Sequence, residues 1–168
     1  DGKRVVDRQE YLDKIGAAVE ARGEADFFVV ARTDAVAAMG LDEALARVDA
    51  ARAAGADATF VEAPGSLAEL VEVGRLAPKP TVANMVEQGR TPVLPQAQLA
   101  EMGFTLILYP VTGLYASAHA LTTAYGHLRE QGTSAGSDDR LMAFDTFNDL
   151  IGVDEKYALA RKWSTEKD

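Results

Sequence analysis

The chain has 168 residues, 48% of them hydrophobic and 26% charged, which is the composition of a single globular domain with a sizeable core. Acidic residues outnumber basic ones by 26 to 17, and the basic residues are scattered, so nucleic acid is not an expected partner. No apolar run approaches the roughly 20 residues of a bilayer span, and the opening residues DGKR lack the apolar core of a secretory signal, so we expect no membrane partner and a cytoplasmic protein.

Apolar periodicity alternates between the helical and the strand type along the first 130 residues. In chain order it predicts a helix over 11–22, a strand over 26–33, a helix over 41–54, a strand over 58–62, a helix over 66–76, a strand over 80–85, a helix over 95–103, a strand over 105–109 and a helix over 112–129. The first strand, DFFVVART, contains five consecutive apolar residues, which favours burial on both faces, as in a parallel sheet. Ser66 and Glu69 have the spacing of a capping box, so we expect both side chains to cap the third helix.

The last part of the chain has a different composition. Residues 131–139 (QGTSAGSDD) are polar and rich in glycine and serine, which is typical of a linker. Two short helices are predicted after it, and the second carries Tyr157 and Trp163, large apolar side chains that we expect to pack on a partner subunit. The predicted organisation is four βα units (1–130), a linker (131–139) and a C-terminal helical segment (140–168) with helices over 140–151 and 154–163.

Strand and helix alternate about every 22 to 30 residues, and such βα units form a parallel sheet with right-handed crossovers. A closed (β/α)8 barrel needs about 250 residues and eight units, whereas this sequence contains four. The pattern therefore predicts an α/β fold that is either half of a TIM barrel or a small doubly wound sheet.

Polar residues stand at the carboxyl ends of the predicted strands, which is where parallel α/β folds bind ligands. Arg32, Glu62 and Asn84 lie at the ends of the first three strands, Tyr109 ends the fourth, and Thr112 follows it. Arg32 offers a fork of donors that suits a carboxylate or a phosphonate, and Asn84 can donate to a second oxygen of the same ligand. The pattern indicates a small anionic substrate, with Glu62 holding a hydroxyl, positioning a metal-bound water or accepting a proton.

Other interpretations of these residues stay open. Arg32 could pair with Asp34 or Glu62 in an ion pair at the rim, and Asn84 could cap a helix. We expect Asp34 to accept backbone amides in the loop that follows the first strand. The glycine-rich loops of nucleotide-binding proteins and the GxSxG elbow of serine hydrolases are absent from the sequence, which argues against both classes.

Six segments at and near the strand ends are similar to the isocitrate lyase/phosphoenolpyruvate mutase superfamily. They occur in order over essentially the whole chain: VVARTDA (29–35), GAD (55–57), VEA (61–63), ANMVE (83–87), LAEMG (99–103) and YPVT (109–112). The resemblance implies a (β/α)8 barrel of which this chain is the C-terminal half, Mg2+ dependence, and cleavage or formation of C–C or P–C bonds next to a carboxylate in a 2-oxo or 2-hydroxy acid. It also implies a homotetramer whose C-terminal helices are exchanged between subunits.

The resemblance also implies roles for individual residues. Arg32 would bind the substrate carboxylate, Glu62 would be a catalytic contact near metal and substrate, and Asn84 would be a second oxyanion contact. Thr112 and Tyr109, in the YPVT segment, are expected to bind substrate as well. The metal-binding aspartates of the family, and the cysteine-containing loop that carries its catalytic acid, precede the segment that begins near Gly2. We therefore expect the Mg2+ ligands mainly outside this chain, assign no metal ligand within it, and expect the chain by itself to be inactive.

Two features distinguish this chain from other branches of the family. Members similar to methylisocitrate lyase carry arginines where this chain has Tyr115 and Phe144, so a tricarboxylate substrate is not expected. Residues 144–152 (FDTFNDLIG) instead resemble the branch of carboxyvinyl-carboxyphosphonate phosphorylmutase and 2,3-dimethylmalate lyase. The favoured function is an Mg2+-dependent C–C bond lyase acting on a substituted malate or a related 2-hydroxy or 2-oxo acid. Phosphonomutase or phosphonopyruvate hydrolase chemistry is one alternative, and a non-catalytic half-barrel that serves assembly is another.

Overall fold

The structure is a computed structural model that describes residues 2–163. Its strands are all parallel and are hydrogen-bonded in chain order: β1 (Val30–Thr33), β2 (Ala58–Val61), β3 (Thr81–Asn84) and β4 (Leu106–Leu108). The helices are α1 (Arg8–Arg22), α2 (Ala35–Met39), α3 (Leu41–Ala53), α4 (Leu67–Leu76), α5 (Gln96–Glu101), α6 (Thr112–Gln131), α7 (Phe144–Leu150) and α8 (Val153–Trp163), with a 3-10 turn over Asp138–Arg140. No helix described between residues 2 and 163 is long and apolar enough to cross a membrane.

The order of the strands separates the two predicted architectures. Each strand pairs with the next one in the chain, with Val30 opposite Ala58 and Val82 opposite Leu106. A doubly wound sheet reverses its strand order at a switch point, whereas a barrel adds its strands consecutively. The four βα units therefore have the order of a barrel, and the prediction of a doubly wound sheet is wrong.

The first strand is shorter and less buried than the sequence predicts. β1 begins at Val30, not at Asp26, and Phe27 and Phe28 are about two-thirds exposed. The ladder with β2 begins only at Val30 and Ala58, and Asp57 occupies the preceding position. Its carboxylate accepts from the Val29 N–H at 2.7 Å, which ends the regular pairing. Burial on both faces was wrong for this strand, because exposed and buried residues alternate along β1, so only one of its faces is covered.

The main core lies between the sheet and the helices α3, α4 and α5. Five of its larger side chains are almost fully buried: Val48, Leu70, Val73, Met85 and Leu99. Burial of each contributes about 1.5–3 kcal/mol relative to exposure, so this cluster fixes the helices against the strands. The strand ends are consequently held on a packed scaffold.

The helix boundaries agree with the sequence in most places, but α1 begins at Arg8, three residues before its predicted start. A short helix, α2, follows β1 where a loop was predicted. Ser66 Oγ accepts from the Glu69 N–H at 3.1 Å as a capping box requires, but Glu69 reaches back to the Gly65 N–H. The helix predicted over 140–151 is shorter, because α7 begins only at Phe144.

The residues separate into two compact units, the first ending at Gly113 and the second beginning at Leu114. The first unit contains the sheet, α1 to α5 and the first residues of α6. The second contains the remainder of α6, α7 and α8. The predicted boundaries at residues 130 and 139 stay predictions.

Candidate functional site

Arg32 is the centre of a polar cluster at the carboxyl end of β1. Its Nε lies 3.0 Å from Asp34 Oδ2, and its Nη2 lies 3.3 Å from both Asp34 Oδ1 and Glu62 Oε1. The guanidinium also lies 5.0 Å from the centroid of the Phe60 ring, which is its partner across the β1–β2 ladder. Parallel register thus places an aromatic face beneath the cation, and this contact restricts how the guanidinium can tilt.

Glu62 and Asn84 extend this cluster across the sheet. Glu62 directly follows β2, and its backbone N–H donates to the Thr33 carbonyl at 3.0 Å, which fixes its position relative to β1. Asn84 is the last residue of β3, and its Nδ2 donates to Glu62 Oε2 at 3.3 Å. The carboxylate of Glu62 therefore lies between Arg32 and Asn84, and the three residues predicted from the strand ends do lie together.

Tyr109 and Thr112 make their contacts elsewhere. The Tyr109 hydroxyl donates to the Leu94 carbonyl at 2.9 Å, and the Thr112 hydroxyl donates to the carboxylate of Glu87. Neither side chain is hydrogen-bonded to Arg32, Glu62 or Asn84 in the described part of the chain. Their substrate-binding role stays a prediction.

Asp34 does not cap the chain that follows β1, as the sequence led us to expect. Its side chain makes no hydrogen bond to the start of α2 and instead accepts from Arg32 and from Lys3. Partial burial acts to raise the pKa of Asp34, but hydrogen bonds from the two cations outweigh it and hold this pKa below its usual range. The hydrogen bond to Asp34 likewise raises the pKa of Arg32. The rim ion pair left open by the sequence is therefore present.

A cavity of about 390 Å³ opens beside Arg32. Most of the residues that line it were not predicted from the sequence. Its lining residues are Lys3, Arg4, Val5, Val6, Tyr11, Arg32, Thr33, Asp34 and Arg47. Arg47 could have been predicted as a buried residue, because it lies three residues after Ala44 on the inward face of a predicted helix. Nothing in the sequence near Lys3 or Tyr11 indicates that they would lie beside the strand end.

A buried charge network supports this cavity from α3. Arg47 is only 2% exposed, and its Nε donates to Glu43 Oε1 at 2.8 Å while its guanidinium lies 5.7 Å from the Tyr11 ring centroid. Arg8 donates to the same carboxylate, and these contacts lower the pKa of Glu43 to about 2. Burial raises the pKa of Tyr11 to about 12, so its hydroxyl stays protonated. The network keeps the Arg47 cation in the interior by pairing it with the Glu43 carboxylate.

The donor atoms of this cluster do not fit a magnesium site on their own. Between residues 2 and 163, no group of three or more His, Cys, Asp or Glu residues is placed to hold a metal ion. Both oxygens of Glu62 already face cationic or amide donors, whereas Mg2+ requires near-octahedral oxygen ligands. Asn84 Oδ1 and Glu87 Oε2 are buried acceptors without a partner in the described residues, but they supply one carboxylate oxygen between them.

A sequence profile of the phosphoenolpyruvate phosphomutase family matches residues 1–129. The chain belongs to the isocitrate lyase/PEP mutase superfamily. It is 38% identical over 164 residues to 2,3-dimethylmalate lyase of Eubacterium barkeri, covering 98% of this chain and 57% of that protein. It is 42% identical over 166 residues to the chloroplastic carboxyvinyl-carboxyphosphonate phosphorylmutase of Arabidopsis thaliana, covering 97% and 49%. The superfamily inferred from the strand-end segments is thus confirmed.

Solved structures of the superfamily have the same fold. Oxaloacetate acetylhydrolase in complex with the inhibitor 3,3-difluorooxalacetate superposes with a TM-score of 0.85 and 32% identity, covering 96% of this chain and 55% of that one. Phosphonopyruvate hydrolase in complex with oxalate and Mg2+ gives a TM-score of 0.79 and 27% identity, covering 95% and 57%. This chain therefore spans about half the length of its relatives, which are TIM-barrel-type proteins, and its four βα units correspond to half of such a fold.

Proposed function

We propose that this chain supplies the carboxylate-binding side of the active site of an Mg2+-dependent lyase. Its substrate would be a substituted malate or a related 2-hydroxy or 2-oxo acid, and the bond cleaved would be a C–C bond next to the carboxylate. The observation that carries the proposal is the convergence of Arg32, Glu62 and Asn84 at three adjacent strand ends. Relatives with lyase activity on dimethylmalate and hydrolase activity on oxaloacetate support this substrate class.

Each of the three side chains has a distinct part in the proposal. Arg32 offers N–H donors to a substrate carboxylate and places a fixed positive charge where an enolate would develop during bond cleavage. Asn84 already donates one amide hydrogen to Glu62, which leaves the other hydrogen for a substrate oxygen. Glu62, held from both sides, can accept a hydrogen bond or a proton from a substrate hydroxyl.

We infer that residues outside 2–163 would supply the metal side of the proposed site, since the described donor atoms do not form a magnesium site on their own. The chain alone would then bind carboxylates weakly and would not turn over substrate. A protein that contains this chain together with the metal-binding residues should lose activity on treatment with EDTA and regain it with Mg2+. Activity of residues 1–168 alone would show that the chain holds a complete site.

Phosphonopyruvate chemistry is the competing proposal, and the match to the phosphoenolpyruvate phosphomutase family favours keeping it. Assays of a protein that contains this chain should separate the two. Release of pyruvate or glyoxylate from substituted malates supports the lyase, whereas turnover of phosphonopyruvate without cleavage of malates supports the alternative. A third possibility, a half-barrel without catalysis that serves assembly, requires that neither substrate class reacts.

An arginine substitution tests the role of the cluster itself. Arg32→Ala should lower kcat/KM about 100-fold or more, because it removes both carboxylate binding and the fixed positive charge. Arg75→Ala in α4 is the matched control, since Arg75 is exposed and lies on a helix away from the strand ends. Equal activity of the two variants would contradict the proposal.

We also propose that the protein forms a homotetramer in which C-terminal helices are exchanged between subunits. The support within the second unit is the exposure of its large apolar side chains, among them Phe144, Leu150, Tyr157 and Trp163, each more than 60% exposed. Leaving so much apolar surface in water is unfavourable for a monomer.

A further inference from the structure

Asp34 occupies one edge of the Arg32 guanidinium. Its two oxygens accept from Nε at 3.0 Å and from Nη2 at 3.3 Å, which is the side-on, bidentate geometry of an arginine–carboxylate pair. Nη2 is shared with Glu62 Oε1 at 3.3 Å. Among residues 2–163 the remaining nitrogen, Nη1, has no acceptor, so a ligand would meet Arg32 at its Nη1 end.

Asp34 is itself held from a second direction. Lys3, in the segment that precedes α1, donates to Asp34 Oδ1 and also lines the cavity beside Arg32. Two cations on one partly buried carboxylate restrict its rotation, and Asp34 in turn restricts the guanidinium plane. This arrangement differs from an isolated surface ion pair, which contributes little because both side chains remain free to move.

Lys3 also affects the net charge around Arg32. A carboxylate directly on Arg32 reduces the attraction of that arginine for an anionic ligand, and Glu62 reduces it further. Lys3 offsets one of these negative charges without occupying the Nη1 end of Arg32. The cluster can therefore fix the orientation of Arg32 at a smaller loss of anion affinity.

We propose that Asp34 and Lys3 are positioning residues for ligand binding: Lys3 holds Asp34, and Asp34 fixes Arg32 so that a ligand carboxylate binds at its Nη1 end. This inference rests on the proposed function in one respect, namely that Arg32 binds a carboxylate. Neither Asp34 nor Lys3 needs to touch the ligand. The two residues act in series, which makes their contributions dependent on one another.

Oxalate binding to a protein that contains this chain, measured by calorimetry in the presence of Mg2+, provides the test. Asp34→Ala should raise the dissociation constant about tenfold, Asp34→Asn should raise it less, and Lys3→Met should raise it about threefold. In the Asp34→Ala background, Lys3→Met should cost less than half as much, because the carboxylate it holds is gone. Lys14→Met is the matched control, since Lys14 forms an exposed ion pair with Glu10 on α1.

The outcomes separate this inference from the proposed function. If Arg32→Ala leaves oxalate affinity unchanged, the carboxylate-binding role of Arg32 fails and both proposals fall. If Arg32→Ala weakens binding but Asp34→Ala and Asp34→Asn do not, only the positioning role is overturned. An equal effect of Lys3→Met with and without Asp34 would show that Lys3 acts as a separate charge, and it would also overturn the proposal. Should Asp34→Ala fail to fold, Asp34→Asn combined with Lys3→Met supplies the same comparison.

Discussion

Two glycines in helices of this chain provide a stability test in which the same substitution has opposite effects. Gly74 lies in α4 and Gly16 in α1. A Cβ added at Gly74 would lie 2.5 Å from the Met102 carbonyl oxygen, whereas one added at Gly16 would meet nothing within 4 Å. A Cβ added at Gly103, next to Met102, would lie 2.6 Å from the Gly74 carbonyl oxygen, so the backbones of α4 and the turn after α5 pack together without side chains between them.

The magnitude follows from the geometry. Ordinary contact begins at 3.4 Å, so the added methyl group at Gly74 would force α4 and the turn apart by about 0.9 Å. Overpacking of this kind costs about 1–3 kcal/mol, and the better helix propensity of alanine returns up to about 1 kcal/mol. We expect Gly74→Ala to lower the free energy of unfolding by about 1–2 kcal/mol. Gly16→Ala gains the propensity term alone and should raise it by about 0.5–1 kcal/mol.

Urea titrations followed by far-UV circular dichroism measure both variants against the parent protein, and equal slopes of the transitions make the midpoints comparable. A stabilised Gly74→Ala variant would refute the close approach of the two backbones. Destabilisation by the same amount at both positions would refute the reasoning as a whole, because it would show that contact with Met102 does not decide the sign.

Two other predictions concern acid stability and assembly. Glu43 has a pKa lowered from 4.5 to about 2, first by its hydrogen bond with Arg8, so its ionised form stabilises the fold above about pH 4.5 and this contribution is lost as the pH falls towards 2. Glu43→Gln should therefore give a flatter dependence of unfolding free energy on pH over this window, and a curve parallel to that of the parent would contradict it. Truncation after Ser137 removes α7 and α8 and should yield a smaller assembly in gel filtration, whereas an unchanged elution volume would exclude these helices from the interface.

The secondary structure was largely predictable because it depends on local patterns. Helical spacing located α3 to within one residue at its end, and the apolar run 58–62 located β2 equally well. The error at β1 has a tertiary cause: Phe27 and Phe28 have high strand propensity, but the side chain of Asp57 takes the Val29 N–H, and the ladder with β2 begins only at the next residue. Strand propensity is a property of single residues, whereas a β-strand forms only where its backbone can pair with a neighbouring strand.

The sequence predicted which residues form the candidate site, but only some of the contacts between them. Parallel strands end at the same edge, so the order of the βα units alone brought Arg32, Glu62 and Asn84 together. The second partner of Asp34, Lys3, could not be predicted, because it lies 31 residues away in the chain and its approach depends on how the segment before α1 passes the end of β1. For the same reason, nothing in the sequence indicated that Tyr11 would lie against Arg47.

By itself, the sequence determined the α/β class, the number of βα units and the three polar strand ends, since each of these depends on spacing along the chain. It also indicated the superfamily, through the similarity of six segments to that family. Only the tertiary structure decided that Asp34 pairs with Arg32 and Lys3 instead of capping α2, and that Nη1 of Arg32 has no acceptor among residues 2–163. The physical reason is that a charged side chain takes the best partner within reach, and what lies within reach is set by packing between segments distant in sequence.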